Sequence, residues 1–198
     1  MCQLVETIKC KNGKLENLRY HQARFNLARK ELFGENFELN LIEEIKVPEK
    51  YQTGLFRCRV IYASDIEKIE FHPYEYRKVE SLKLMEDCTI DYRYKFTDRK
   101  KLNELFEKRG NCDDILIVKN GCITESYVAN IVFFDGKEWW TPDTPLLRGT
   151  RRAQLIEEGK IKVCRITPDD IPRFEKAGLI NAMQGLNEMP EIKIENIV

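Results

Sequence analysis

Lys95 lies in Tyr94-Lys95-Phe96-Thr97-Asp98-Arg99, and Glu125 follows thirty residues later in Thr124-Glu125-Ser126, at the end of a strand signal. Further on, Leu147-Arg148-Gly149-Thr150-Arg151-Arg152 sets a glycine, a hydroxyl and arginines at the opening of a helix. A lysine amine can form a Schiff base with a carbonyl. A carboxylate can keep a neighbouring nitrogen protonated. Helix-start N–H groups with an arginine can hold a phosphate. Taken singly, each has an ordinary alternative. Lys95 reads first as a strand lysine whose stem snorkels to water. Glu125 reads equally as an edge carboxylate on a surface turn, and Gly149-Thr150-Arg151 as a capped surface helix. Their order and spacing carry the signal.

An amine, an acid and a phosphate cradle are the three groups that pyridoxal phosphate requires of a protein. Tyr92, Tyr94 and Phe96 surround Lys95 in sequence, and an aromatic setting can desolvate a lysine and lower its pKa.

The elements that must position these groups follow from local pattern. Leu4 to Lys9 reads as a strand, Asn12-Gly13 as a hairpin turn, and a second strand runs toward Leu18. Tyr20 to Phe33 reads as a helix, with Phe25, Ala28 and Leu32 on one face and Gly34 as its stop. A short helix is expected near Phe37 to Ile45, then strands at Leu55 to Ala63 and Lys68 to Phe71. The charged stretch Glu75 to Glu86 reads as a crossing between lobes. Beyond it, Asp98 is expected to cap a helix bearing Leu102, Leu105 and Phe106, ended by Gly110. Asp114 to Val118 and Cys122 to Thr124 form a hairpin about Asn120-Gly121. Ile131 to Phe134 and Glu138 to Trp140 form another about Asp135-Gly136. A helix opens at Gly149-Thr150 and stops at Gly159. Thr167-Pro168-Asp169-Asp170 signals a further helix start, and the last strand is expected at Gly178 to Ala182. The pattern is α/β in two lobes, a small one at 1–84 and a larger one at 85–198 carrying the lysine.

Bulk properties exclude several classes. With 33 basic and 33 acidic residues, the chain has no global field for nucleic acid or anionic membrane. The run Asp98-Arg99-Lys100-Lys101 reads as a solvated helix face. No apolar stretch nears the ~18 residues of a membrane helix, and no signal pattern opens the chain, so a cytoplasmic home is expected. The seven cysteines never occur as Cys-x-x-Cys, which argues against a disulfide framework. With His21 and His72 as the only histidines, no metal site is expected.

The sequence resembles the class IV, fold type IV, pyridoxal-phosphate enzymes over nearly its whole length. These include branched-chain and D-amino acid aminotransferases and 4-amino-4-deoxychorismate lyase. The family's histidine-x-x-arginine element resembles His21-Gln22-Ala23-Arg24, which implies that Arg24 binds the cofactor phosphate. Lys95 followed by Asp98-Arg99 resembles the Schiff-base lysine segment. Thr124-Glu125 followed by Asn130-Ile131-Val132-Phe133 implies that Glu125 holds the pyridine nitrogen. Leu147 to Arg152 resembles the phosphate-binding helix start, which implies that Thr150 and Arg151 contact the phosphate. Relatives usually carry a longer N-terminal stretch and often a proline at the position of Arg148, and branched-chain aminotransferases commonly have a glycine-rich loop where Ser126-Tyr127-Val128-Ala129 stands.

Leu146 to Gly159 and Ile180-Asn181-Ala182-Met183-Gln184-Gly185 are most similar to the lyase branch. The resemblance implies 4-amino-4-deoxychorismate lyase, releasing pyruvate and 4-aminobenzoate for folate synthesis. Lys95 would be the catalytic residue, taking the proton from the carbon that bears the amino nitrogen. The alternatives are a D-amino acid or branched-chain-type aminotransferase, and a shortened non-catalytic homologue. Arg57, Arg59, Arg93 or Arg148 could pair with a dicarboxylate substrate. The resemblance also implies a homodimer acting on a small-molecule amino substrate, with no nucleic-acid or membrane partner.

Overall fold

Along β1 (Leu4–Lys11), Leu4, Glu6, Ile8 and Cys10 are all fully buried, because a strand's period of two sends them to one face. The computed structural model describes residues 2–37 and 39–198. β1 turns through Asn12-Gly13, at φ 49° and 76°, into β2 (Lys14–Leu15). Positive φ at both positions is what a two-residue hairpin turn demands. β3 (Leu55–Tyr62) and β4 (Ile66–Pro73) complete an antiparallel sheet in the order β2-β1-β3-β4.

The sheet's apolar face is covered by α1 (Leu18–Phe33), whose Phe25 ring lies 4.5 Å from that of Tyr62. Gly34 ends the helix at φ 73°, its N–H reaching the carbonyls of Arg29 and Lys30. The buried face is His21, Phe25, Ala28 and Arg29, and the expected Leu32 is 37% exposed. Arg29 takes the core-facing position because its guanidinium donates to the carbonyls of Ser64 (2.7 Å) and Phe37 (2.9 Å). The helix expected over Phe37 to Ile45 contracts to one turn, α2 (Leu41–Glu44), started by Asn40 accepting from the Ile42 N–H at 3.0 Å. Glu38 lies outside the described residues.

The chain divides into two compact units, Met1–Glu75 with Tyr94–Asp98, and Tyr76–Arg93 with Arg99–Val198. This differs from a boundary at 84/85. The Lys95 segment belongs to the small unit because its backbone continues the sheet: Val5 N–H donates to the Lys95 carbonyl and Thr97 N–H to that of Gln3, each at 2.9 Å. The stretch before it belongs to the large unit. There β5 (Leu82–Glu86) lies parallel to β6 (Asp114–Lys119), so what reads as a charged crossing is partly a strand. Leu82 and Leu84 supply the apolar side that such a strand needs.

The large sheet runs β10-β9-β8-β7-β6-β5. It contains β7 (Cys122–Ser126), β8 (Asn130–Phe134), β9 (Trp139–Pro142) and β10 (Lys162–Cys164). β11 (Lys176–Ile180) pairs with β8, and β12 (Glu191–Lys193) pairs with β11. The strand expected last, Gly178 to Ala182, corresponds to β11, and β12 follows it. β8 is buried on both faces, which explains its unbroken apolar run. Ile131 and Phe133 pack with Leu116, Leu179 and Ile192 on one side. Val132 packs with Leu155 of α4 (Thr150–Glu157) on the other.

Two helix starts differ from expectation. α3 (Lys100–Glu107) begins after Arg99 rather than Asp98 and has no side-chain cap. Thr167 and Asp170 form a reciprocal capping box, but only a 3₁₀ segment, Pro168–Arg173, follows. Pro172 inside it withdraws the N–H that an α-helix would need. No helix of the described residues is long and apolar enough to cross a membrane, and no cluster of three His, Cys, Asp or Glu among them is placed to hold a metal. All seven cysteines are free thiols, and burial pushes that of Cys58 up to about 12.

Phe25→Ala, which empties a fully buried site, is expected to cost about 3–5 kcal/mol. Leu32→Ala should cost under about 1 kcal/mol. Urea denaturation of the two variants checks this, and equal losses would contradict the observed helix face.

Candidate active site

In the small unit, chemistry gathers on the helix-facing side of β1. Glu6 occupies a core position between Leu4 and Ile8, and His21 and Arg24, three residues apart on α1, face it. Arg24 grips Glu6 bidentately, Nε to Oε1 at 2.8 Å and Nη2 to Oε2 at 2.6 Å. His21 Nδ1 lies 2.5 Å from Oε2. Burial by itself would push the Glu6 carboxyl up, but the Arg24 guanidinium and the His21 ring outweigh it and hold the group at about 2. Burial, more than the opposing pull of Glu6, holds His21 below its ordinary value. The ring is therefore neutral near pH 7 and donates its Nδ1–H to the carboxylate.

Lys95 stands half-buried in the same unit, between Tyr94 and Phe96, which pack against the small core. Its charge is among those that lower the His21 pKa, so amine, imidazole and guanidinium share one electrostatic neighbourhood. Tyr94 is tied to α1 by its hydroxyl, which donates to Glu31.

In the large unit, Glu125 and Asn130 are paired across β7 and β8. Glu125 is 5% exposed, and its Oε2 accepts from Asn130 Nδ2 at 3.2 Å and from the Leu147 N–H at 2.9 Å. Asn130 Nδ2 also donates to the Leu147 carbonyl at 3.1 Å. The start of α4 is thereby pulled onto the acid. Gly149 is required by proximity, because a Cβ there would stand 1.9 Å from Asn130 Oδ1. α4 opens at Thr150 with no side-chain cap and no acid in its first turn, which leaves the positive helix end suited to an anion. Thr150 is buried. Arg151 donates from Nη1 to Gln154 Oε1 at 2.8 Å, and its side chain runs beside Gly185.

Arg24 and Lys95 thus belong to one unit, and Glu125, Thr150 and Arg151 to the other. Three further residues take part without a role assigned from sequence, and of these Glu6 lies outside every motif quoted above. Glu6 carries a signal of its own, an acid at a core-parity position of an otherwise apolar strand face. Asn130 stands in the element that resembles the family's acid-bearing strand, but its part in holding Glu125 is visible only in the fold. Arg152 donates from Nη2 to the Pro142 carbonyl at 2.7 Å, and burial lowers its pKa against the pull of Glu125. Nothing local distinguishes it from the arginines beside it.

Among the candidate substrate arginines, Arg93 is exposed and bound to Asp91, Arg148 is exposed, and Arg59 pairs with Glu70 at 3.2 Å. Arg57 differs, because its Nε is buried with no hydrogen-bond partner among the described residues.

The groups present fit pyridoxal phosphate. A half-buried amine and a fixed arginine lie in one unit; a buried carboxylate and an uncapped helix start lie in the other.

The amino-transferase class IV family pattern matches residues 92–192. An uncharacterized protein of Haemophilus influenzae (strain ATCC 51907 / DSM 11121 / KW20 / Rd) is 39% identical over 188 residues, covering 94% of this chain and all of its own. The crystal structure of a candidate 4-amino-4-deoxychorismate lyase from Haemophilus somnus 129PT superposes with a TM-score of 0.89 at 34% identity, over 94% of this chain and 98% of that one. A hypothetical aminotransferase from Mycobacterium tuberculosis, in its PLP-bound form, shares the fold alone, with a TM-score of 0.77 at 16% identity, over 96% of this chain and 80% of that one. Fold and site define a fold type IV protein of mixed α/β architecture. The chain belongs to the amino-transferase class IV family, whose members are pyridoxal-phosphate enzymes.

The Glu6 pKa sets an acid limb of stability. Its folded value of about 2 lies below the ordinary ~4.3, so the stability it contributes is complete above about pH 5 and is lost as pH falls toward 2. His21 acts in the same direction, because the unfolded chain takes up its proton first, from about pH 6.5 downward. Glu6→Gln should flatten the limb below pH 5. At pH 7 it should cost about 3 kcal/mol by leaving the Arg24 charge without its carboxylate. Urea denaturation at a series of pH values reads both, and parallel pH slopes in variant and wild type would refute the assignment.

Proposed function

We propose that the chain is a pyridoxal-phosphate enzyme that converts 4-amino-4-deoxychorismate to pyruvate and 4-aminobenzoate. The observation that carries this reading is the buried Glu125 carboxylate, held by Asn130 and the Leu147 N–H beside the uncapped start of α4. Similarity over nearly the whole length to the Haemophilus somnus protein supports the lyase over the aminotransferase.

When bound, the cofactor supplies an electron sink conjugated to the substrate nitrogen. Lys95 is the amine that would hold the cofactor and be released when substrate binds. Its freed amine then takes the proton from the substrate carbon bearing nitrogen. The bond from the neighbouring ring carbon to the enolpyruvyl oxygen breaks. The proton removed equals the one the enolpyruvyl fragment needs to become pyruvate, and the ring left behind is aromatic. Glu125 would hold the proton on the cofactor's ring nitrogen through its fixed negative charge. Arg24, aimed by Glu6, binds the phosphate, as do the α4 N-terminus, Thr150 and Arg151. Arg57 pairs with a substrate carboxylate, since its buried Nε lacks the acceptor that a buried donor requires.

Two copies assemble as a dimer in this proposal. Leu27, Phe37 and Ile42, apolar and exposed on the small unit, support it.

Purified protein should be yellow, and borohydride should abolish its visible band. Lys95→Ala should lose at least about 10²–10⁴-fold in turnover. Mixing the protein with aminodeoxychorismate should release pyruvate and 4-aminobenzoate in equal amounts without a keto acid. Amino-group transfer to 2-oxoglutarate, with no pyruvate release, would replace the lyase by an aminotransferase. Failure to take up pyridoxal phosphate at all would remove the enzyme. Light scattering on a sizing column should give twice the chain mass, and an active monomer would exclude the dimer.

A further inference from the structure

The turn joining β7 to β8 holds Glu125 and Asn130 at its two ends, yet its own residues do not specify it. Ser126 N–H donates to the Ala129 carbonyl at 2.9 Å, leaving Tyr127-Val128 as a two-residue connection. Such turns are favoured when glycine or asparagine takes positive φ. The hairpins at Asn12-Gly13 and Asn120-Gly121 do this, whereas neither Tyr127 nor Val128 has positive φ. Val128 is β-branched and 44% exposed, so it anchors nothing. What fixes the turn must come from outside it.

Tyr127 is held on every side. Its N–H donates to Asp114 Oδ1 at 3.2 Å, and its carbonyl accepts from Arg99 Nη2 at 2.6 Å. Its hydroxyl donates to Asn103 Oδ1 at 2.7 Å. The ring stacks on Phe106 with centroids 4.3 Å apart, and the Arg99 guanidinium lies 4.3 Å from the ring centroid. Asp114, fully buried at the head of β6, also accepts from the Ile115 N–H and pairs with Arg77 at 3.3 Å. Arg99 is additionally positioned by the Tyr92 ring, 5.7 Å away. Both main-chain polar groups of one turn residue are therefore taken by charged side chains from two other elements.

We propose that Arg99 is a positioning residue: by clamping Tyr127 it sets where the Glu125 carboxylate stands against the cofactor ring nitrogen. The inference rests on the reading of Glu125 given above. A charge-assisted hydrogen bond and a cation–π contact meet at this arginine, and Glu125 is two residues from the carbonyl it holds. A displacement of the turn would weaken the opposite-charge contact that keeps the nitrogen protonated.

The test loads full-length protein with pyridoxal phosphate labelled with ¹⁵N in the ring and follows the ring-nitrogen shift against pH, alongside the cofactor dissociation constant. Arg99→Gln should keep its far-UV spectrum, bind pyridoxal phosphate about tenfold more weakly, as for loss of one charge-assisted hydrogen bond, and lose the ring proton at lower pH than wild type. Arg99→Lys should restore part of both. Asn103→Ala, at an exposed position, releases only the Tyr127 hydroxyl and should shift the nitrogen titration the same way by less; it decides the matter if Arg99→Gln does not fold. Arg173→Gln, which removes an exposed arginine paired with Asp170 in the same unit, should change neither. A ring nitrogen that titrates as in wild type in the Arg99 and Asn103 variants, but moves in Glu125→Gln, overturns the clamp and leaves the acid's role standing. A titration unmoved even by Glu125→Gln overturns both.

Discussion

Removing a carboxylate from water costs several kcal/mol unless charges and N–H donors replace the solvent. Each unit buries such a group among its candidate site residues and arranges neighbouring elements around that requirement. In the small unit, Glu6 enters the core on a strand whose other inward residues are apolar, and α1 must present His21 and Arg24 to it. In the large unit, Glu125 draws Asn130 from the next strand and the Leu147 N–H from the segment leading into α4. The acids are thus structural constraints before they are chemical groups. Satisfying them orients an arginine in one unit and a helix terminus in the other.

The same logic accounts for rigidity where the proposed chemistry needs it. β8 is packed on both faces, with Ile166, Ile171 and Phe174 in the cluster on one side and α4 on the other. Asn130, its first residue, is consequently a fixed donor. Gly149 lets the α4 start approach it closely, and a side chain there would collide with the Asn130 amide. Side chains from the start of α3 and from β6 hold the Tyr127 turn. A turn with poor intrinsic geometry is tolerated because Arg99 and Asp114 replace local preference with long-range hydrogen bonds.

Much of this was legible in the chain before folding. The Asn-Gly hairpins, the Gly34 and Gly159 helix stops and the apolar run of β8 reflect local physics, namely positive φ, period and continuous burial. The order of Arg24, Lys95, Glu125, Thr150 and Arg151 carried the resemblance to the family that the comparisons show. Local reading failed where a distant partner decided the outcome. Arg29 displaced Leu32 from the helix face because two loop carbonyls receive its guanidinium. β5 escaped notice because a strand with only two inward leucines becomes visible through its parallel pairing with β6.

By itself the sequence determined the family and the α/β character, and it singled out an acid, an amine and a helix start as candidates, since these depend on residue type and spacing along the chain. Tertiary structure alone decided that the Lys95 segment joins the N-terminal unit by pairing with β1, and that Glu6 rather than water fills the inner side of Arg24. It also decided which donors hold Glu125. Hydrogen bonds between residues far apart in sequence leave no periodicity behind, so only the folded backbone brings them within about 3 Å of each other.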